Sequence, residues 1–524
     1  MSRIRARSRN RPPNTCSTSS DSRPRLKRGA SVRGGALFRC AFPWRPLPLG
    51  FRRVTVPFGR TRVAWGKTMI ARLLAMAAAL LAALSVTARA QDLLIQNVRL
   101  IDLSAESPQL SAPQSVLIRG DRIAAIAPVG AIPVPEGVTP IDGNGGYLLP
   151  GLTDMHVHVW DQASLGSYLA HGVTAIRNAS GMPFHLDLAQ RIEAGELAGP
   201  RLLTTGPILN SHGANEQLNH QFVTTSAEAR AAVRWQHEAG FRHLKVYSNL
   251  TREAWAGVKA EAEALDMTIM GHTPEGIRAQ GTPRDRPFDM AFTDLLDAGF
   301  VTIEHVESIV WHGLRNRHDP AAAHALAQRI AASGTPVDPT LVAFRNLLHV
   351  AETKGAYLRR PGTEWMNPML VAQSQGEYDR WTNEAVEPNR EAFAFYKQMT
   401  KMLSDAGVTL VDELELLVEA GLSPAQALRT ATLNPAQVLG EDATRGRIAP
   451  GMIADMVLVN ADPLEDFTAL RSPVLVIAQG RPHDRAALDA LLDEAARPDL
   501  ARTQANVIAG LQAQGTDVSD LTGG

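Results

Sequence analysis

Beyond residue 40 the chain has no cysteine, because both of its cysteines, Cys16 and Cys40, lie near the amino terminus. The remainder therefore has no disulfide, no thiolate metal ligand and no thiol nucleophile. Acids are scarce over residues 1–68, where Asp21 alone stands against 15 arginines and two lysines, a net charge of +16. The formal charge of the whole is zero, so everything after that stretch carries −16. The apolar run Leu73–Val86 has 14 residues, short of the roughly 20 that a membrane-spanning helix needs. With 45% hydrophobic and 20% charged residues among 524, the composition excludes a disordered, collagen-like or polytopic membrane protein.

Residues 1–68 are rich in Arg, Ser and Pro and show neither helical nor strand periodicity. Arginine clusters pair with phosphate, so one reading is a nucleic-acid-binding arm. The other is a disordered basic leader that is not part of the true protein, and the segment after Lys67 favours this second reading. From Met69, Arg72 supplies a positive start, Leu73–Val86 an apolar core and Ala88-Arg89-Ala90 a small-x-small cleavage site. Residues 69–90 thus read as a secretory signal peptide with Met69 as the natural start. The mature chain is expected to begin at Gln91, with 434 residues and a charge of −18. It would be exported, periplasmic or secreted, with no membrane segment and no nucleic-acid partner. A cysteine-free body suits that compartment.

Residues 91–148 hold short alternating strands separated by Gly, Pro and Asp turns, and similar material returns over 444–485. Together these predict a composite β-sandwich built from both ends of the mature chain. Between them, 149–443 alternates apolar strands with amphipathic helices. The strands are expected at 152–159, 173–179, 201–209, 243–248, 268–274, 301–307, 335–344 and, briefly, 408–411. Eight strands with helical crossovers over about 290 residues predict an α/β fold, a (β/α)₈ TIM barrel. Residues 486–524 form a helical tail.

In the first barrel strand His156 and His158 are two apart, so both leave the same face. They sit toward the carboxyl end, where barrel active sites form. Two imidazoles on one face are adjacent ligands for a divalent ion. His272 and His305 occupy equivalent strand ends, in MGHTP and IEHVE, and join them in a metal-site reading. Lys245 alternates with Leu244 and Val246 and so points inward. One resolution of that buried ammonium is reaction of the neutral amine with carbon dioxide, giving a carbamate that can bridge two cations; the other is a strand-end lysine reaching water. His212 and His220, in the loop 210–222, and Tyr247 are substrate-contact candidates beside the alternatives of a plain lid and a core tyrosine.

The ordered set His156-x-His158, Lys245, His272 and His305, framed by LLPGLTDMHVH and IAPGMIADMVLV, resembles the amidohydrolase superfamily. More closely it is similar to exported, prolidase-like and imidazolonepropionase-related members, over roughly 91–485. The resemblance implies a metal-dependent barrel with two divalent ions, usually zinc. The His-x-His pair would bind the more buried ion, a carboxylated Lys245 would bridge, and His272 and His305 would hold the second.

One part of the family pattern is missing. The eighth strand should run into a Gly-Thr-Asp turn whose aspartate binds the buried metal and shuttles the proton of the hydrolytic water. Here VTLV passes directly into Asp412-Glu-Leu-Glu-Leu-Leu. Asp412 stands near the right place but reads better as the acid that opens the following helix. The function expected is metal-dependent hydrolysis of a C–N bond in an amide, dipeptide or cyclic amide, impaired by that loss. The alternative is an inactive member that still binds metal or ligand. A mononuclear deaminase is third, and Lys245 argues against it. The partner is a small-molecule substrate, and the sequence allows a homo-oligomer without fixing subunit number.

Overall fold

The computed structural model describes residues 92–519 apart from 106–107, 215, 218, 280–281 and 284–285. The basic leader and the signal-like segment lie outside the described residues. The barrel strands, numbered in chain order, are β1 (Leu152–Val157), β2 (Val173–Asn178), β3 (Arg201–Thr204), β4 (His243–Val246), β5 (Thr268–Gly271), β6 (Phe300–Glu304) and β7 (Val337–Asp338). All are parallel and alternate with helices. Outward residues such as Leu244, Ile269, Ile303 and Val337 pack with Val258, Ile309, Ile330 and Leu403 in one apolar layer. The period of two then leaves Lys245, Thr302 and Glu304 facing the barrel interior.

Several strands are shorter than the sequence pattern predicts, each for a local reason. The third stops at Thr204, and after Gly206-Pro207 a separate strand, Ile208–Asn210, pairs with β4 and with His220–Phe222. Proline has no N–H for the ladder. The fifth stops at Gly271, whose φ of 132° brings its backbone so close to Val246 that a Cβ would stand 2.2 Å from that carbonyl oxygen. The seventh has two residues; Pro339 ends it and the helix Leu341–Glu352 replaces the expected strand over 340–344.

The eighth strand is reduced to a stub. Leu410 makes a single parallel bridge to Val337, through Val337 N–H to Thr409 O at 3.0 Å and Val411 N–H to Val337 O at 3.2 Å. Among the described residues no ladder joins 408–411 to β1. That side is tied instead by Thr153 N–H to Ala431 O (2.7 Å) and Asp412 N–H to Thr430 O (2.8 Å). The strands consequently form two sheets, β1–β3 and a second containing β4–β7, rather than one unbroken ladder.

Both ends of the described chain meet in a mixed sheet of nine strands. Leu93–Asp102 is bulged between Ile95 and Val98, pairing with Gln114–Arg119 before the bulge and with Tyr147–Pro150 after it. The carboxyl-terminal strand Met456–Val459 lies antiparallel to Tyr147–Pro150. Ile95, Val116 and Ile118 from one limb meet Leu148, Met456 and Ile477 from the other in a shared apolar core. No helix among the described residues is long and apolar enough to cross a membrane.

Candidate metal centre

The four histidines singled out by their strand positions converge. Ring centroids are 5.4 Å apart for His156 and His158, 4.7 Å for His156 and His305, and 4.6 Å for His272 and His305. Burial is the largest influence on all four and pushes their pKa values down, His158 to about 4; in each, Lys245 adds to the effect. They are neutral imidazoles at neutral pH, the form that binds metal.

Three of the rings are oriented through Nδ1. His156 Nδ1–H donates to Glu304 Oε2 at 2.5 Å, and His305 Nδ1 contacts Thr340 Oγ1 at 2.6 Å. His272 Nδ1 lies 3.1 Å from Ser308 Oγ, whose own proton goes to Glu307. A ring held through Nδ1 by an oxygen presents Nε2 to a ligand, as metal-binding histidines commonly do. His305 leaves β6 with φ 68° and ψ 105°, a turn that brings it back over the barrel mouth.

Lys245 is 1% exposed, and its Nζ has no hydrogen-bond partner. Burial lowers its pKa to about 8, against the pull of Glu304. Asp338, at the end of β7, is fully buried with both carboxylate oxygens unpartnered. Ligand atoms of His156, Glu304 and Asp338 lie within 4.8 Å of one another. Unpartnered ionisable groups at such depth are costly. Four neutral imidazoles, a buried amine and a carboxylate without a hydrogen bond supply donors of the kinds that divalent cations take.

The family model for the amidohydrolase family matches residues 147–482. The chain belongs to the amidohydrolase family. Family membership makes it a metal-dependent hydrolase of C–N bonds. An imidazolonepropionase of Rubrobacter xylanophilus is 26% identical over 385 residues, covering 67% of this chain and 86% of the relative. Adenine deaminase 3 of Rhizobium meliloti is 23% identical over 408 residues, covering 74% of this chain but only 57% of the deaminase. A crystal structure of a Xaa-Pro dipeptidase with bound methionine superposes with a TM-score of 0.57 at 20% identity, covering 75% of this chain and all of the other.

In this amidohydrolase Asp412 does not open a helix, contrary to the sequence expectation. The helix begins at Glu415, and Asp412 and Glu413 form a left-handed pair with φ of 70° and 57°. That pair turns Asp412 inward, into a cavity of about 620 Å³ that His156, His158 and His305 also line. Its carboxyl hydrogen-bonds Asp154, the residue two before His156, and burial pushes both carboxyls upward. A helix-opening acid and an inward carboxylate look alike in sequence, because the deciding backbone angles belong to the strand stub before them.

Glu304, Asp338 and Arg177 escaped the sequence reading. Glu304 accepts from Arg177 Nη2 at 3.1 Å, from Thr302 and from His156, so its carboxylate is fully engaged. Arg177 also donates Nε–H to Met155 O at 2.7 Å and stands 3.9 Å from Asp338. Each follows one apolar residue near a strand's carboxyl end, a weaker form of the signal at Lys245, which has apolar residues on both sides. His220 is buried with Nδ1 3.1 Å from Asn210 Nδ2, and the Tyr247 ring lies between it and His272, at 4.7 and 4.0 Å. His212 is exposed, stacked on Phe222 and paired with Glu216, away from the centre.

Proposed function

We propose that this chain hydrolyses a C–N bond in a small amide, dipeptide or cyclic amide at a site for two divalent ions, zinc by preference. The observation that carries the reading is the buried Lys245 amine, without a hydrogen-bond partner, whose charge acts on all four of the converging imidazoles. His156 and His158 would hold the deeper ion, His272 and His305 the second, and Lys245, as a carbamate formed with carbon dioxide, would lie between. Ions so placed would polarise the scissile carbonyl and bring the pKa of water near neutrality. Glu304 fixes the tautomer of His156, and Ser308 and Thr340 aim His272 and His305. Asp412, in the same cavity, is the group placed to move a proton between nucleophile and leaving amine. It is a poor substitute for a strand-end aspartate, because a left-handed turn after a strand stub, and not a paired strand, aims its carboxyl; slow hydrolysis is expected. The imidazolonepropionase and dipeptidase likenesses support cyclic amides and dipeptides as the first substrates to try.

Metal analysis of the purified chain should give about two ions per chain, and chelation should abolish C–N hydrolysis. One ion would favour a mononuclear, deaminase-like site. The reduction of strand eight to a single bridge favours a second reading, an inactive member that still binds metal; two bound ions with no turnover of any amide would establish it.

We also propose export, with cleavage after Ala90, on the strength of the signal-like sequence. Amino-terminal sequencing of protein from the culture medium or periplasm should begin at Gln91. Recovery of residues 1–68 on the exported protein would refute it.

A further inference from the structure

The carboxyl-terminal helix Leu500–Ala513 supplies no residue to the metal centre but packs on the loops that follow β1 and β2. Arg502 reaches Asp161, three residues beyond His158, with a fork of two hydrogen bonds, Nε–H to Oδ2 at 3.0 Å and Nη2–H to Oδ1 at 2.8 Å. Thr503 Oγ1 lies 3.2 Å from the same Oδ2, and Ala163 N–H donates to Oδ1 at 2.9 Å. Asp161 is 1% exposed. A buried carboxylate gripped by a guanidinium fork is fixed in direction as well as in place. Further along the helix, Gly510 admits Met182 so closely that a Cβ would stand 2.5 Å from its Sδ. Met182 N–H donates to His185 Nδ1 at 2.9 Å, which leaves the imidazole proton on Nε2 to donate to Val159 O at 2.7 Å. The helix thus holds the chain at Asp161 directly and at Val159 by way of Met182 and His185.

Both grips bear on the one metal-site histidine that has no support of its own. Glu304, Thr340 and Ser308 orient His156, His305 and His272, whereas the His158 ring makes no hydrogen bond among the described residues. His158 also lies one residue past the end of β1 and is exposed to the cavity. The direction of its imidazole is consequently set by the main chain on either side. Beyond it, that main chain is held by Asn178, whose Oδ1 accepts from Val159 N–H at 2.9 Å, by His185 and by the helix.

We propose that the carboxyl-terminal helix is the brace that aims His158, with Arg502 as a positioning residue for the deeper ion. The proposal rests on the metal-site reading. Chelator competition on the zinc-loaded full chain tests it. Arg502→Ala should weaken one of the two ions by at least about tenfold, the usual worth of a group that orients a metal ligand, and leave the other within about twofold. The same substitution made in a His158→Ala background should cost less than about twofold more, because the ligand being aimed is already gone. Added to His272→Ala it should keep its full effect. Arg502→Lys, which keeps the charge without the fork, should recover part of the loss. Gly510→Ala, acting through Met182, should weaken the same ion. By linkage, zinc should slow hydrogen exchange of the docked amides over 500–513 in the unmodified chain by about tenfold, a measurement that needs no variant to fold. Equal weakening of both ions, an undiminished effect in the His158→Ala background, or exchange unaltered by zinc would overturn the proposal. An unmodified chain that binds no ion would fail the metal-site reading itself, whereas two ions held at unaltered affinity by Arg502→Ala would refute the brace alone.

Discussion

Inserting a Gly-Thr-Asp turn and its following loop between Val411 and Asp412 should raise kcat/KM for C–N hydrolysis by about 10²–10⁴-fold, the usual worth of a positioned acid–base group. The present chain reaches the barrel mouth at this point with Leu410 alone in register. Asp412 follows in a left-handed conformation with its carboxyl bonded to Asp154. A carboxylate aimed by that turn, without a paired strand behind it, is poorly held for taking a proton from water. The insertion would deliver an aspartate from the strand's own end, and the restored loop would rebuild a wall of the 620 Å³ cavity. Substrate positioning should then improve along with proton transfer. Steady-state kinetics on the best amide substrate of the unmodified chain provide the comparison. Efficient hydrolysis by the unmodified chain, lost on Asp412→Asn, would show that Asp412 already performs the task.

Replacing Lys245 by alanine should remove both ions together, taking bound metal from about two per chain to well under one. A carbamate on this residue is the one group that would touch both cations, whereas each histidine serves one. The substitution also removes a donor from a site whose remaining carboxylates are unequal: Glu304 is committed to Arg177, Thr302 and His156, whereas Asp338 accepts no hydrogen bond and has only the Arg177 guanidinium at 3.9 Å. Added bicarbonate, an oxyanion small enough for the vacated space, should restore part of the metal. A short carboxylic acid occupying that space should do the same. Retention of two ions by the variant at their original affinity would exclude the bridge.

The barrel was readable because its strands alternate. Leu244, Lys245 and Val246 show in three residues which side faces the helices and which faces the interior. Strand lengths were less readable. Pro339, Pro207 and the close approach at Gly271 end strands through backbone demands that an apolar pattern does not register. The same division runs through the site. His156, His158, Lys245, His272 and His305 stand out because such residues are rare at barrel strand ends. Glu304 and Asp338 carry a weaker signal, because the residue after each, His305 or Pro339, interrupts the apolar alternation that marks Lys245. The direction of Asp412 is not legible in the sequence, because it depends on the preceding strand being too short to pair with β1, which is a property of the assembled barrel.

That incomplete wall has a mechanical consequence. The barrel consists of two staves, one carrying His156 and His158 and the other Lys245, His272 and His305. One seam between them is held by the bridge from Thr205 to His243, and the other by loop contacts at Ala431 and Thr430. The strongest bonds across the gap are in the interior, from His156 and Arg177 on one stave to Glu304 on the other. Metal bound at the centre would span the same divide, so occupancy and cohesion of the barrel become one linked quantity. In a closed barrel the ions would be passengers; here they would act as rivets.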